Sequence, residues 1–237
     1  MAAEPDDVAL LAFFRVIASG DASEISRGLE SPQRRLAVQA IRVGASRSDA
    51  PAFFLDAIHH YAYAGDTALH VAAAAYQTET ARLLISQGAP VRARNRRGAE
   101  PLHYAADGAP GGPRWNPSAQ REVITFLVAA GADPNARDAN GVAPLHRAVR
   151  TRCSAAVNAL LDSGADPKSR NGHGSTPLHL AVQNTGRGGS GSSAATHEQR
   201  GIITLLLQHG AGATDTDAHG KSVDAACASA WIRDLLT

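Results

Sequence analysis

Histidine, cysteine and arginine are the residue types in this chain with the chemistry to catalyse, to hold a metal or to seize an anion. Ten histidines are present. His59-His60 stands beside Tyr61 and Tyr63, but adjacent histidines do not share a helix face, and neither an HExxH pair nor a carboxylate trio accompanies them. No metal is therefore expected. A G-x-S-x-G turn, which would expose an activated serine, is absent from the sequence. Cys153 carries no sequence feature that marks an activated nucleophile, the nearby cations Arg150 and Arg152 offering the alternative of a lowered pKa. Cys227 falls in a small-residue position and is expected to pack in the interior. Gly186-x-Gly188-x-x-Gly191 spells a dinucleotide-binding fingerprint, yet that fingerprint needs a preceding strand and a helix opening at the glycines. Here a helix precedes it, and a flexible linker fits better. A backbone nest charged by Arg187 is the weaker anion-binding alternative. No catalytic residue and no cofactor is assigned.

Charge offers the remaining chemistry, and it is local. Lys+Arg 23 against Asp+Glu 22 gives a net charge of +1, so no global field draws the chain to nucleic acid or membrane. Lys168 and Lys221 are its only lysines. The densest basic run is Arg92-Ala93-Arg94-Asn95-Arg96-Arg97, continued by Arg137, Lys168 and Arg170 and interrupted by Asp133, Asp138 and Asp166. Two readings stand: a track for an acidic partner, or a solvated face that keeps the chain soluble.

The elements that position these residues repeat. Thr67-Ala68-Leu69-His70 returns as Glu100-Pro101-Leu102-His103, Ala143-Pro144-Leu145-His146 and Thr176-Pro177-Leu178-His179, the histidines lying 33, 43 and 33 residues apart. Gly-Ala closes each unit at Gly88, Gly131, Gly164 and Gly210, after apolar runs such as Leu83-Leu84-Ile85. Thr is an N-cap, Pro suits the first helical position and Leu enters the core, so a helix starts at each T-P-L-H. The glycine ends a second helix in the left-handed conformation. Small pairs such as Ala72-Ala73 and Ala105-Ala106 let neighbouring helices approach closely, in keeping with aromatics at only 5%.

This T-P-L-H-x-A pattern with a unit of about 33 residues resembles the ankyrin repeat family. The resemblance implies an all-α solenoid of about seven helix pairs with short hairpin loops and irregular terminal caps. It implies too that the motif histidines tie adjacent hairpins together, and that a partner protein is met by hairpin tips and the concave inner-helix face. Residues 1–64 form the N-terminal cap, with Val16 to Leu29 as a degenerate pair and Leu36 to Val43 with Phe53 to His60 as another. Residues 65–213 hold four repeats, and residues 214–237, where Ala225 replaces the histidine, form the C-terminal cap.

Two repeats are longer than the rest. Histidine to glycine is 18 residues in the first and third, but 28 in the second and 31 in the fourth. The extra residues fall between inner and outer helix, at 107–117 and 184–199, and should emerge along one edge together with the turn at Arg150 to Cys153. Arg114, Trp115, Arg150, Arg152 and Arg187 would then form a basic, partly aromatic patch. Insertions in a repeat array are also thermodynamically cheap, so each loop serves equally well as an idle one. Asp107 should line the concave face, and Tyr104 and Arg147 should reach it from the x of H-x-A. The function expected is non-enzymatic protein binding through Arg94, Arg96, Arg97, Tyr104, Asp107 and the edge patch. The alternative is polyanion or nucleic-acid binding through the arginines.

The opening MAAEPDDVAL carries acidic residues where a secretion signal needs basic ones, and no apolar run approaches the roughly 20 residues that span a bilayer. With only two cysteines, the expectation is a monomeric cytoplasmic chain with free thiols.

Overall fold

The computed structural model describes residues 5–30, 33–46, 50–108, 115–183 and 192–237. It falls into two compact units, Met1–Ala105 with Glu122–Asp133 and Ala106–Arg121 with Pro134–Thr237. Twelve helices occur among the described residues: α1 (Pro5–Ser19), α2 (Ala22–Gly28), α3 (Ala68–Ala74), α4 (Thr78–Ser86), α5 (Pro101–Ala106), α6 (Pro117–Ala129), α7 (Pro144–Arg150), α8 (Ser154–Asp162), α9 (Pro177–Ala181), α10 (Ser193–Gln208), α11 (Val223–Ala226) and α12 (Ala230–Leu236). They make six consecutive pairs where about seven were expected. In the second unit α7 packs on α9 and α9 on α11, while α8 packs on α10 and α10 on α12. Inner helices thus stack on inner and outer on outer, the nearest-neighbour arrangement of a repeat array.

The missing pair lies in the N-terminal region. Among the described residues of this stretch, Gln33–Ala37, Ala50–Phe53 and Asp56–Ile58 form 3-10 turns, and β1 (Phe54–Leu55) pairs with β2 (His60–Tyr61) in the register Phe54↔Tyr61 and Leu55↔His60. Helices over Leu36 to Val43 and Phe53 to His60 are therefore corrected, and tertiary hydrogen bonds supply the reason. The backbone N–H groups of Arg42 and Val43 donate to the buried Asp7 carboxylate at 3.0 and 2.9 Å, and that of Ile41 donates to the Asp66 carbonyl at 2.8 Å. Donors spent this way do not close helical turns. The pair read around Gly20 is present: Gly20 has φ 81°, and the Asp21 carboxylate caps α2 by accepting from Ser23 and Glu24.

Each inner helix starts where the T-P-L-H motif places it, and the histidine does more than the motif's letters reveal. Its Nδ1 accepts the N–H of the cap residue, at 3.1 Å in His70 and His103, 3.3 Å in His146 and 3.2 Å in His179. Its Nε2 must then carry the ring's proton and donate. His70 gives it to the Ala99 carbonyl at 3.2 Å, His146 to Ser175 at 3.1 Å and His179 to Lys221 at 3.1 Å. One buried neutral ring thus caps its own helix and fastens the next hairpin. In the later hairpins an Asx turn eight residues before the motif position repeats the same trick. The side-chain oxygens of Asn95, Asp138, Asn171 and Asp217 each accept from two backbone N–H groups, and the glycine three residues on has φ near 70°.

The core follows the pattern. Phe14, Ile17, Leu69, Leu84, Leu102, Ile124 and Leu127 are buried in the first unit, and Leu145, Leu160, Leu178, Ile203 and Leu206 in the second. Gly88, Gly131, Gly164 and Gly210 all have φ between 89° and 103°, the left-handed closure expected after each outer helix. No helix among the described residues is long and apolar enough to cross a membrane.

Candidate functional site

The inserted segments act by lengthening outer helices as well as by adding loop. Counted back from its closing glycine, α6 starts four residues earlier than α4 or α8, and α10 starts seven earlier. That is about one and two extra turns, or roughly 6 and 10 Å of helix. Caps made by the insertions themselves fix the new starts. Asn116 accepts from Ser118 and Ala119 N–H, both at 3.1 Å, ahead of Pro117, and Ser192 Oγ accepts from Ala195 N–H at 3.2 Å.

A buried glutamine at a fixed offset holds the root of each insertion. Gln120 Nε2 donates to the Asp107 carbonyl at 3.2 Å, and its Oε1 accepts from Trp115 Nε1 at 3.0 Å. Gln199 Nε2 donates to the carbonyls of Ala181 and Gln183 at 2.7 and 2.8 Å. Both stand eleven residues before the closing glycine, a register shared with Gln77 and Cys153. Sequence reasoning missed these glutamines, although their common offset was there to be found.

The second unit brings Trp115, Arg150 and Arg152 together around one groove of about 800 Å³, completed by Thr151, the first turn of α10 from Ser193 to Ala195, His197 and Glu198. Arg150 is 62% exposed and lies 3.6 Å from Asp107. Arg152 is half-buried, and its Nη2 donates to the Gln183 carbonyl at 3.1 Å. Its backbone has φ 59°, a conformation that glycine or asparagine adopts far more readily. Glu198 is spoken for, since its carboxylate accepts the Ser154 N–H at the start of α8, at 3.1 Å. Asp107 pairs chiefly with Arg147, at 2.8 Å. Arg114 and Arg187, expected in the same patch, and the glycine fingerprint at 186–191 lie outside the described residues.

Three expectations are corrected. Tyr104 is 3% exposed, and its hydroxyl donates to the buried Asp66 carboxylate at 2.9 Å beside Asn95, so it belongs to the interior and is withdrawn as a surface anchor. Arg147, the corresponding x residue of the third repeat, is likewise interior, 12% exposed and held between Asp107 and Asp138. Cys153 is fully buried, and burial pushes its thiol up to about 11. The flanking arginines do not activate it.

The arginine run belongs to the first unit and is largely engaged within it. Arg92 meets Glu100 at 3.4 Å and Asp133 at 3.2 Å, and Arg94 donates to the Gly98 carbonyl at 3.1 Å. Arg96 donates to the Ala45 carbonyl, while Arg97 lies over the Tyr63 ring at 4.3 Å. Among the described residues no group of three or more His, Cys, Asp or Glu side chains could hold a metal ion.

Stacked helix pairs joined by histidine-fastened hairpins define a helical repeat protein. A family model described as ankyrin repeats in three copies matches residues 40–112 and 116–217, and the chain belongs to the ankyrin repeat family. No curated protein matches it. Ankyrin repeats are generic protein–protein interaction modules, and typically non-enzymatic ones.

Proposed function

We propose that this chain is a non-catalytic, monomeric module that binds a partner protein with the edge of its second unit. The observation that carries the reading is the groove in which Trp115, Arg150 and Arg152 converge on an outer helix lengthened by the second insertion. Asp107 lies 3.6 Å from Arg150, and Arg114 adjoins Trp115 in sequence, as Arg187 precedes the start of α10. A rigid scaffold supports this use, because a surface already folded loses little entropy on binding. The polyanion alternative loses support from the intramolecular partners of Arg92, Arg94, Arg96 and Arg97.

Affinity capture from a native lysate tests the proposal. Intact chain and a variant with residues 109–115 and 184–195 replaced by short glycine-serine linkers, which removes Trp115 and the apolar wall of the groove together with the loops, are compared at two salt concentrations. A protein recovered with the intact chain and lost with the variant is the expected result. Nucleic acid retained by both forms and released by salt would overturn it.

A further inference from the structure

We infer that the edge groove takes an extended acidic peptide segment of its partner, with Asp or Glu side chains against Arg150 and Arg152 and a large apolar side chain against Trp115. This rests on the protein-binding reading above and names the chemistry of its site.

The charge balance of the groove carries the inference. Its lining has an apolar wall, Trp115 with Ala194 and Ala195, and four ionisable side chains, Arg150, Arg152, His197 and Glu198. The single carboxylate among them already caps α8. Of the two guanidinium groups, Arg150 shares Asp107 with the closer Arg147 and remains mostly in solvent. Arg152 has no carboxylate partner among the described residues, only the Gln183 carbonyl. The lining thus offers more positive charge than it satisfies, next to indole and methyl surface. A carboxylate-bearing peptide with an apolar anchor complements both at once.

Arg152 adds an independent argument. Tyr76 occupies the equivalent turn of the first repeat, six residues after the motif histidine, and it too has positive φ, so the turn itself demands a left-handed residue. Glycine would meet that demand without strain. Arginine also brings a cation whose burial disfavours its charge, pulling it below its ordinary value. Arg152 therefore carries two costs in the free protein, and a bound carboxylate offsets the second.

The test pans a displayed library of random dodecapeptides on the full chain, then measures one enriched peptide by fluorescence anisotropy against wild type, Arg150→Gln and Arg152→Gly. Enriched sequences should combine Asp or Glu with Trp, Phe or Leu. Affinity should fall roughly tenfold for Arg150→Gln and roughly thirtyfold or more for Arg152→Gly. The urea midpoint of Arg152→Gly should equal or exceed that of wild type, which separates lost binding from lost folding. No enrichment, enrichment of basic or neutral sequences, or equal affinity for all three proteins would overturn the inference. The same two variants, used in lysate capture, separate it from the broader reading: a partner held equally well by all three leaves protein binding standing and removes the groove as its site.

Discussion

His146→Ala should be the most informative single perturbation of the scaffold. The ring is 1% exposed and bridges two backbone groups, accepting from Ala143 N–H at 3.3 Å and donating to the Ser175 carbonyl at 3.1 Å. Deletion leaves the Ala143 N–H buried and unpaired, while the Ser175 carbonyl keeps only the Asn171 N–H, at 3.1 Å. Each lost bond costs about 1 kcal/mol net, and an orphaned buried group adds more, so about 3 kcal/mol is expected. His179→Ala should cost at least as much, because it also removes the acceptor of the Thr176 hydroxyl, which lies 2.8 Å from His179 Nδ1. Both tryptophans, Trp115 and Trp231, lie in the same unit as these histidines, so urea unfolding followed by tryptophan fluorescence reads the effect directly. pH supplies a second signature. Burial, opposed by the Ser175 carbonyl, holds the His146 pKa below its ordinary value of 6.5. The unfolded chain therefore binds this proton first as pH falls. The stability that His146 contributes is complete above about 6.5 and is lost on acidification through the folded value. His146→Ala should flatten that part of the profile. A loss under about 1 kcal/mol, far below the sum of the two bonds, or a profile as steep as wild type would refute the capping argument.

Ala143→Thr should stabilise the chain by about 0.5–1 kcal/mol, since Thr176 holds the same cap position with nearly the same backbone angles; an unchanged urea midpoint would count against it. Tyr104→Phe should destabilise by about 1–3 kcal/mol by taking a donor from the buried Asp66 carboxylate, which thermal unfolding followed by circular dichroism would register. Cys153 should resist alkylation at pH 8 in the native chain and react once urea is added, because burial raises its thiol to about 11; peptide mapping after brief iodoacetamide treatment checks this, and rapid native labelling would contradict it.

How legible the fold was depends on where its hydrogen bonds close. Within a repeat they close locally: cap, proline, leucine, histidine and terminal glycine act over a few residues, and the helix starts and left-handed glycines stand where the spacing puts them. The expected helices over 36–43 and 53–60 fail because the donors of Ile41, Arg42 and Val43 are claimed by distant acceptors, Asp66 and Asp7, and because Phe54 and Leu55 pair with Tyr61 and His60, none of which local periodicity announces. Tyr104 and Arg147 were misplaced for a related reason. A polar residue between small ones reads as surface, yet each tip reaches a carboxylate supplied by another segment, Asp66 at 38 residues' separation and Asp107 at 40. The edge groove was half legible. Repeat arithmetic located the insertions, but the seven residues that α10 adds to its start come from a segment whose glycines and serines suggested only loop.

The two arginine groups differ in what they have left to offer a partner, and this weighs on function more than their number does. Arg92 is paired with two carboxylates, Arg96 is spent on a carbonyl, and Arg97 rests on an aromatic face. An incoming anion must displace these contacts before gaining its own, which cuts the net attraction. At the edge, Arg150 projects from a partner it shares, and Arg152 has a lone carbonyl among the described residues. Less existing structure must be broken there, and the apolar wall beside them rewards a side chain that a bare polyanion does not carry. Recognition at the edge would thus select for peptide over phosphate backbone by requiring both charge and apolar surface from the same ligand.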